Sequence, residues 1–158
     1  MKPNRKANRI VFLDIDGVLV NRRSFTIYKK TGEHSMADPD CVAALNRITD
    51  TTGARIVLSS TWRKGRSIPR IRSLLKSWGV KARVVGKTPI LDGQIGRIWI
   101  SVDRGTEIAH WLKDKAPCQF VILDDDGDMN SISYRLVQTK FDEDLTMEHA
   151  EKAIAMFA

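Results

Sequence analysis

The sequence predicts an α/β fold of three layers, in which helices cover both faces of a central parallel sheet. Residues 10–13 and 120–123 are wholly apolar and rich in β-branched side chains, as expected for strands that are buried on both faces. Helical patterns separate the predicted strands, and this alternation favours parallel pairing. The chain of 158 residues fits a single domain, 1–158, with a core from about residue 9 to residue 157.

The first half of the chain predicts a strand, a helix and a second strand. The strand at 10–13 ends in an Asp-x-Asp-Gly sequence, which is typical of a loop. Asp38 is suited to cap a helix that has Pro39 in its first turn and ends at Gly53. The second strand, 55–58, ends in small hydroxylated residues. We expect residues 20–37 to form only a flap, so that the cap is small or absent.

Helices and strands continue to alternate in the second half. The predicted elements are a helix at 68–78, a strand at 82–85, a helix at 106–115, a strand at 120–123, a short strand at 136–138 and a last helix capped by Thr146. Between these, residues 95–102 are expected to form a strand pair with Arg97 and Trp99 on one face.

The charge of the chain is unevenly distributed. Lys and Arg total 26 against 19 Asp and Glu, which gives a net charge of +7. Residues 55–104 hold twelve of the basic residues and only two acids. This bias indicates a positive face suited to polyanions, although an ordinary solvated surface would have the same composition.

The sequence shows no sign of membrane association. No apolar stretch approaches the roughly 20 residues that a membrane span requires. Acids interrupt the apolar run that follows the basic N-terminus, which argues against a signal peptide. We therefore expect a cytoplasmic protein.

Polar side chains follow three of the predicted strands, at the point where each strand ends. They are Asp14 and Asp16, Ser59 and Ser60, and Asp124 and Asp125. Because ligands of such sheets bind at the carboxyl ends of the strands, we expect these groups to meet in one crevice.

The carboxylates in this crevice would repel one another unless a cation lay between them. Mg²⁺ prefers a few carboxylate or carbonyl oxygens together with water and substrate phosphate. Asp14 and Asp125 can supply the carboxylates, and the backbone can supply a carbonyl oxygen. Within Asp14-Ile15-Asp16, one carboxylate can attack phosphorus while the other transfers protons to and from oxygen. The hydroxyl of Ser59 and the amide of Ser60 can hold phosphoryl oxygens, and Arg104 can stabilise negative charge in the transition state.

Four segments together resemble the signature motifs of the haloacid dehalogenase (HAD) superfamily of phosphohydrolases. They are 12–19, 56–59, 104–108 and 121–125. The resemblance implies a Rossmann-like fold, an aspartyl-phosphate intermediate on Asp14 and acid/base catalysis by Asp16. It also implies Mg²⁺ bound by Asp14, the Asp16 carbonyl and Asp125, with support from Asp124. Either Arg104 or Lys87 fills the basic role of the third motif.

A narrower resemblance is to the HAD domains of Swiss Army Knife RNA repair proteins. It rests on 58–63, 86–89, 104–108 and 122–126, whereas Asp144 stands where Gly is expected. This likeness, the positive charge and the open site expected from a small cap together favour a phosphorylated RNA or DNA end as the substrate. Ser60, Arg63 and Lys87 lie near the predicted crevice and are expected to contact its phosphates. Trp62 or Trp99 could stack on a base, or pack within the protein.

The sequence therefore favours a Mg²⁺-dependent phosphomonoesterase that acts on a nucleic-acid end or a nucleotide. Two alternatives remain open at this point. One is a module that binds Mg²⁺ and phosphate without turnover. The other is a phosphatase of a small metabolite or a phosphoprotein.

Overall fold

The computed structural model describes residues 8–32, 36–115, 119–140 and 142–158. Its strands in chain order are β1 (Arg9–Leu13), β2 (Arg55–Leu58), β3 (Val84–Lys87), β4 (Gly93–Ile95), β5 (Ile98–Ile100), β6 (Gln119–Asp124) and β7 (Leu136–Gln138). Five of them form a parallel sheet in the order β3-β2-β1-β6-β7. The other two, β4 and β5, form an antiparallel hairpin.

Helices lie on both faces of the parallel sheet. They are α1 (Arg22–Thr31), α2 (Pro39–Thr52), α3 (Ile68–Ser77), α4 (Arg104–Lys113) and α5 (Met147–Met156). Buried side chains of α2, α3 and α5 share one apolar cluster with Val11 and Leu13 of β1, while Ile108 of α4 shares a second cluster with Ile10 and Phe12. Successive residues of β1 thus face opposite layers. The three-layer α/β fold with a central parallel sheet is confirmed.

The caps of α2 follow the prediction. The Asp38 side chain accepts a hydrogen bond from the Asp40 N–H, and Gly53 ends the helix with a φ of 71°. Among the described residues, the structure contains no helix that is both long enough and apolar enough to cross a membrane.

The third strand lies closer to the C-terminus than predicted. It covers Val84–Lys87 rather than 82–85, because the pairing with β2 shifts after Ile56 and continues through Gly86 and Lys87. The following helix begins at Arg104, before the predicted start at residue 106.

The stretch 20–37, for which the sequence predicts a flap, contains helix α1, and residues 33–35 lie outside the described part. Helix α1 begins with a capping box between Asn21 and Ser24 and ends at Gly32 in the left-handed conformation. The sequence does not predict this helix, because its few apolar side chains, Phe25, Ile27 and Tyr28, stand among charged residues without a repeating helical period. In the hairpin, Arg97 lies in the turn between β4 and β5 and not on a strand face beside Trp99.

Candidate active site

The residues that follow β1, β2 and β6 meet at the carboxyl edge of the sheet. The N–H of Asp14 donates to the carbonyl of Leu123 at 3.0 Å, and the N–H of Ser59 donates to the carbonyl of Leu13 at 3.0 Å. These bonds continue the pairing of β1 with β6 and with β2 by one residue beyond the ends of β1 and β2. As a result, Asp14 and Ser59 are held by the sheet itself and not by a mobile loop.

Three carboxylates gather at this edge. Asp14, Asp124 and Asp125 each offer an oxygen, and these oxygens lie within 4.8 Å of one another. Asp14 and Asp124 are buried, and Asp125 is half-buried. Arg104, in the first turn of α4, places its Nη1 3.1 Å from Oδ2 of Asp14 and 2.7 Å from Oδ2 of Asp124.

Burial and the proximity of these groups shift the pKa values of Asp14, Asp124 and Arg104. Burial, followed by repulsion from Asp124, raises the pKa of Asp14 to about 8, although Arg104 opposes the shift. Burial also raises the pKa of Asp124 above its ordinary value. Burial lowers the pKa of Arg104, but the Asp14 and Asp124 carboxylates outweigh it and the net shift is upward. The guanidinium therefore does not outweigh the burial of Asp14 and Asp124, and a further cation would stabilise the ionised forms of these two carboxylates.

Two glycines allow the close approach of the loops that carry these groups. Gly17 has a φ of 81°, and a Cβ atom at this position would lie 2.6 Å from Oδ2 of Asp125. A Cβ atom on Gly105 would lie 2.5 Å from the carbonyl carbon of Met129. Because both contacts are shorter than any side chain tolerates, larger residues would displace Asp125 or Arg104 from the cluster.

Asp16 lies outside the buried cluster but is held in place by Trp62. Asp16 is exposed, and its Oδ2 accepts a hydrogen bond of 3.0 Å from the indole N–H of Trp62. The Trp62 ring packs edge-on against Trp78 and beneath the guanidinium of Arg66. Sequence reasoning placed Trp62 only as a stacking or packing residue. The position of Trp62 just after Ser59 and Ser60, at the end of β2, places it near the site, but the sequence holds no signal for its contact with Asp16.

The two serines serve different purposes. The hydroxyl of Ser59 is fully buried and has no hydrogen-bond partner among the described residues. Such an orphaned donor is suited to a ligand oxygen. The hydroxyl of Ser60 instead accepts the N–H of Trp62 and caps the short helical turn 61–63, which leaves the Ser60 amide as the predicted contact to substrate.

Arg63 does not occupy a position from which it could bind substrate. Its side chain is 2% exposed, and Nη2 lies 2.8 Å from Oε1 of the buried Glu107. The five N–H groups donate to Glu107 and to the carbonyls of Ser59, Ser60, Thr88 and Pro89. Because every donor of the guanidinium is used, Arg63 joins the ends of β2 and β3 to α4 and leaves nothing for a ligand.

Lys87 lies at the exposed end of β3. Its Nζ donates to the carbonyl of Arg66 at 2.7 Å. Arg104, and not Lys87, contacts the carboxylates, so Arg104 has the geometry expected of the third-motif residue.

The family model of the HAD domain in Swiss Army Knife RNA repair proteins matches residues 10–150. This range contains every site residue described above. The chain belongs to this family. No curated protein matches the sequence. As a HAD domain, the chain is part of a superfamily of hydrolases that includes phosphatases.

Proposed function

We propose that this HAD domain is a Mg²⁺-dependent phosphomonoesterase that forms an aspartyl-phosphate intermediate on Asp14. The observation that carries the proposal is the cluster of Asp14, Asp124 and Asp125 within 4.8 Å, with Arg104 on Asp14 and the unpartnered Ser59 hydroxyl on the neighbouring strand end. The side chains that we propose as nucleophile, cation ligands and phosphate-binding donors thus lie at one edge of the sheet.

The acidic cluster fits Mg²⁺. It offers only oxygen ligands from short side chains, and because burial and then repulsion from Asp124 raise the pKa of Asp14, a cation at the cluster would favour the ionised form. Asp14, Asp124 and Asp125, together with the carbonyl of Asp16, would hold the ion. Bound there, Mg²⁺ would neutralise charge on the carboxylates and on the phosphoryl group.

The protein groups then divide the reaction into two steps. In the first, an oxygen of Asp14 attacks phosphorus, and Asp16 gives a proton to the leaving oxygen as its bond to phosphorus breaks. In the second, water attacks phosphorus and gives a proton to Asp16 while the bond between phosphorus and the Asp14 oxygen breaks. Phosphate is released, and Asp14 returns to its ionised form. Arg104 and Ser59 stabilise negative charge on the phosphoryl oxygens in both steps.

The substrate we propose is a phosphorylated nucleic-acid end or nucleotide. The family is named for RNA repair proteins, and the net charge of +7 favours a polyanion. The test is phosphate release with and without Mg²⁺ from oligonucleotides with a 3′ or 5′ phosphate, free nucleotides, a phosphopeptide and sugar phosphates. Release from sugar phosphates or the phosphopeptide alone contradicts the proposed substrate. Binding of Mg²⁺ and phosphate with no release from any substrate contradicts the proposed reaction and supports a binding module.

Magnesium affinity should increase with pH. Since the pKa of Asp14 is raised to about 8 without metal, Mg²⁺ must displace a proton below that pH. We expect the dissociation constant to fall by about one order of magnitude per unit from pH 6 to pH 8 and then to level off. Calorimetric titration in buffers of different ionisation enthalpy measures both affinity and proton release. An affinity that is constant over this range contradicts the assignment of Asp14 as a ligand.

Trp62 should support the proton transfers of Asp16. Replacing Trp62 by Phe removes the N–H that fixes Oδ2 of Asp16, and a misplaced catalytic group costs up to about 100-fold in rate. We expect about a tenfold loss of kcat/KM with a nucleotide. The loss should be much smaller with p-nitrophenyl phosphate, whose leaving group needs little protonation.

The matched control for this variant is Trp78→Phe. It alters the ring that packs against Trp62 but removes no donor to Asp16. In this control, the ratio of kcat/KM with the nucleotide to kcat/KM with p-nitrophenyl phosphate should stay at the wild-type level. Equal losses on both substrates in Trp62→Phe would mean that Trp62 acts only in packing.

A further inference from the structure

A long stretch of the chain contains basic residues and no acids. Residues 51–91 hold ten Lys and Arg and not one Asp or Glu. Three of the ten are paired with acids from elsewhere, in the ion pairs Arg63–Glu107, Lys64–Asp92 and Lys81–Asp50. Six others are exposed and form no ion pair with any described acid: Arg66, Arg70, Arg72, Lys76, Arg83 and Lys87. We call these six residues the basic strip.

The basic strip lies along α3 and β3, at one edge of the sheet. Two hydrogen bonds join the two elements. Nζ of Lys87 donates to the carbonyl of Arg66 at 2.7 Å, and Nε of Arg72 donates to the carbonyl of Val84 at 2.8 Å. The cations therefore extend along this edge from the carboxyl end of the sheet to its amino end, with Arg70 on the flank of α3 opposite Arg72 and Lys76.

The two ends of the strip have different surroundings. At the amino end, Arg72, Lys76 and Arg83 border an open groove of about 540 Å³ that also contains Leu75 and Val80. At the carboxyl end, the guanidinium of Arg66 lies 5.3 Å from the centre of the Trp62 ring. The N–H of that ring contacts Asp16, so the strip begins beside the candidate acid/base residue.

The opposite edge of the sheet has no comparable excess of cations. Beyond β7, the segment that leads into α5 and the helix itself carry five acids: Asp142, Glu143, Asp144, Glu148 and Glu151. Four of them form ion pairs with basic side chains: Arg22–Asp142, Lys140–Glu143, Lys152–Glu148 and Arg47–Glu151. The unpaired positive charge therefore lies at the β3 edge, toward which a polyanion that leaves the active site is attracted.

We infer that the basic strip binds the phosphodiester backbone of a single-stranded nucleic acid whose terminal phosphate lies in the active site. The inference rests on the proposed function and extends it from an end group to a polymer with a defined path. At about 1.5 Å per helical residue, α3 extends roughly 12 Å from Ile68 to Lys76. That length matches about four phosphates at the 3.4 Å rise of a stacked strand. Affinity should therefore rise with oligonucleotide length up to about five nucleotides and then level off.

The test uses a triple variant, Arg70→Gln, Lys76→Gln and Arg83→Gln, within the full chain. These three side chains form no hydrogen bond or ion pair with the described residues, so their loss should leave the fold intact. The matched control is Lys30→Gln, Lys113→Gln and Lys152→Gln, which removes the same charge from α1, α4 and α5. Each protein is titrated with a fluorescein-labelled 12-nucleotide single strand that lacks the terminal phosphate, and binding is followed by anisotropy at several salt concentrations.

We expect the strip variant to bind at least tenfold more weakly than wild type, and the control to bind within twofold. The negative slope of log K against log salt should become shallower by about two units in the strip variant, because each phosphate contact on a single strand contributes about 0.7 unit to it. Hydrolysis of p-nitrophenyl phosphate should be equal in all three proteins.

Three results would overturn the inference. The first is an equal loss of oligonucleotide affinity in the strip and control variants. The second is loss of p-nitrophenyl phosphate hydrolysis in the strip variant alone. The third is binding of poly-glutamate to the wild-type protein as tightly as the oligonucleotide binds. Strip-dependent binding without phosphate release from any substrate would leave the strip as a nucleic-acid surface and would contradict only the proposed reaction. Release from small phosphates with no oligonucleotide binding would contradict the strip and the proposed nucleic-acid substrate but not the proposed reaction.

Discussion

Replacing Asp14 by Asn is expected to lower the rate of phosphate release by at least about a thousandfold, as found when a nucleophile is removed. The amide lacks the negative oxygen that attacks phosphorus. The fold should remain, because the side chains are nearly isosteric and the backbone N–H of residue 14 still donates to Leu123. The measurement is kcat with a phosphorylated oligonucleotide and with p-nitrophenyl phosphate, together with the melting temperature.

The melting temperature separates lost chemistry from lost structure. The pKa of Asp14 is raised from 3.8 to about 8 in the folded protein. Its ionisation therefore disfavours the metal-free fold, and the stability that the protonated form contributes is lost as pH rises from about 4 to about 8. At pH 7.5 without Mg²⁺, Asp14→Asn should melt no lower than wild type. A lower melting temperature would mean that the lost activity reflects the fold.

Asp126→Asn is the matched control for the charge change. Asp126 is exposed in the loop after β6, and its Oδ1 accepts the N–H of Asp128, a role that the Asn oxygen can keep. This variant should retain activity within about twofold. If Asp14→Asn also retained activity within a few-fold of wild type, Asp14 would not be the nucleophile.

The fold was predictable because local signals and burial agree along most of the chain. β1, β2 and β6 are apolar enough to be recognised alone, whereas β3 ends in Gly86 and Lys87 and lies two residues later than the sequence predicts. Asp38 and Gly53 mark the ends of α2 by side-chain and backbone chemistry that acts locally. Helix α1 has equally good caps at Asn21 and Gly32 but no buried apolar face. The rule that detects a helix by its apolar period therefore failed there.

The grouping of the acidic residues was predictable for a different reason. Asp14 and Asp124 each follow or end a wholly apolar strand, and parallel strands bring their carboxyl ends to one edge. The partners of the long side chains were not predictable. A sequence does not show that the indole of Trp62 reaches Asp16, or that Arg63 folds back into the interior, because both depend on the path of the turn after β2.

Replacing Arg63 by Met should destabilise the protein more than any surface substitution. Glu107 is 5% exposed and would lose its cation, although Oε2 would still accept the N–H of Leu91. Removal of one partner from a buried ion pair costs about 3–5 kcal/mol in the free energy of unfolding. For a chain of this size that corresponds to a fall of roughly 10 °C in melting temperature. Urea unfolding followed by circular dichroism measures the loss.

Two further variants show whether Arg63 joins loops or binds substrate. Arg63→Lys keeps the charge but has at most three donors where the guanidinium uses five, so it should lose an intermediate amount of stability. Arg63→Met with Glu107→Leu removes the stranded carboxylate and should recover part of the loss, because an apolar pair avoids the cost of burying charge. If Arg63→Met instead left the unfolding free energy unchanged and raised only the KM for oligonucleotides, Arg63 would be a substrate contact and the buried pair would have no part in holding α4 to the strand ends.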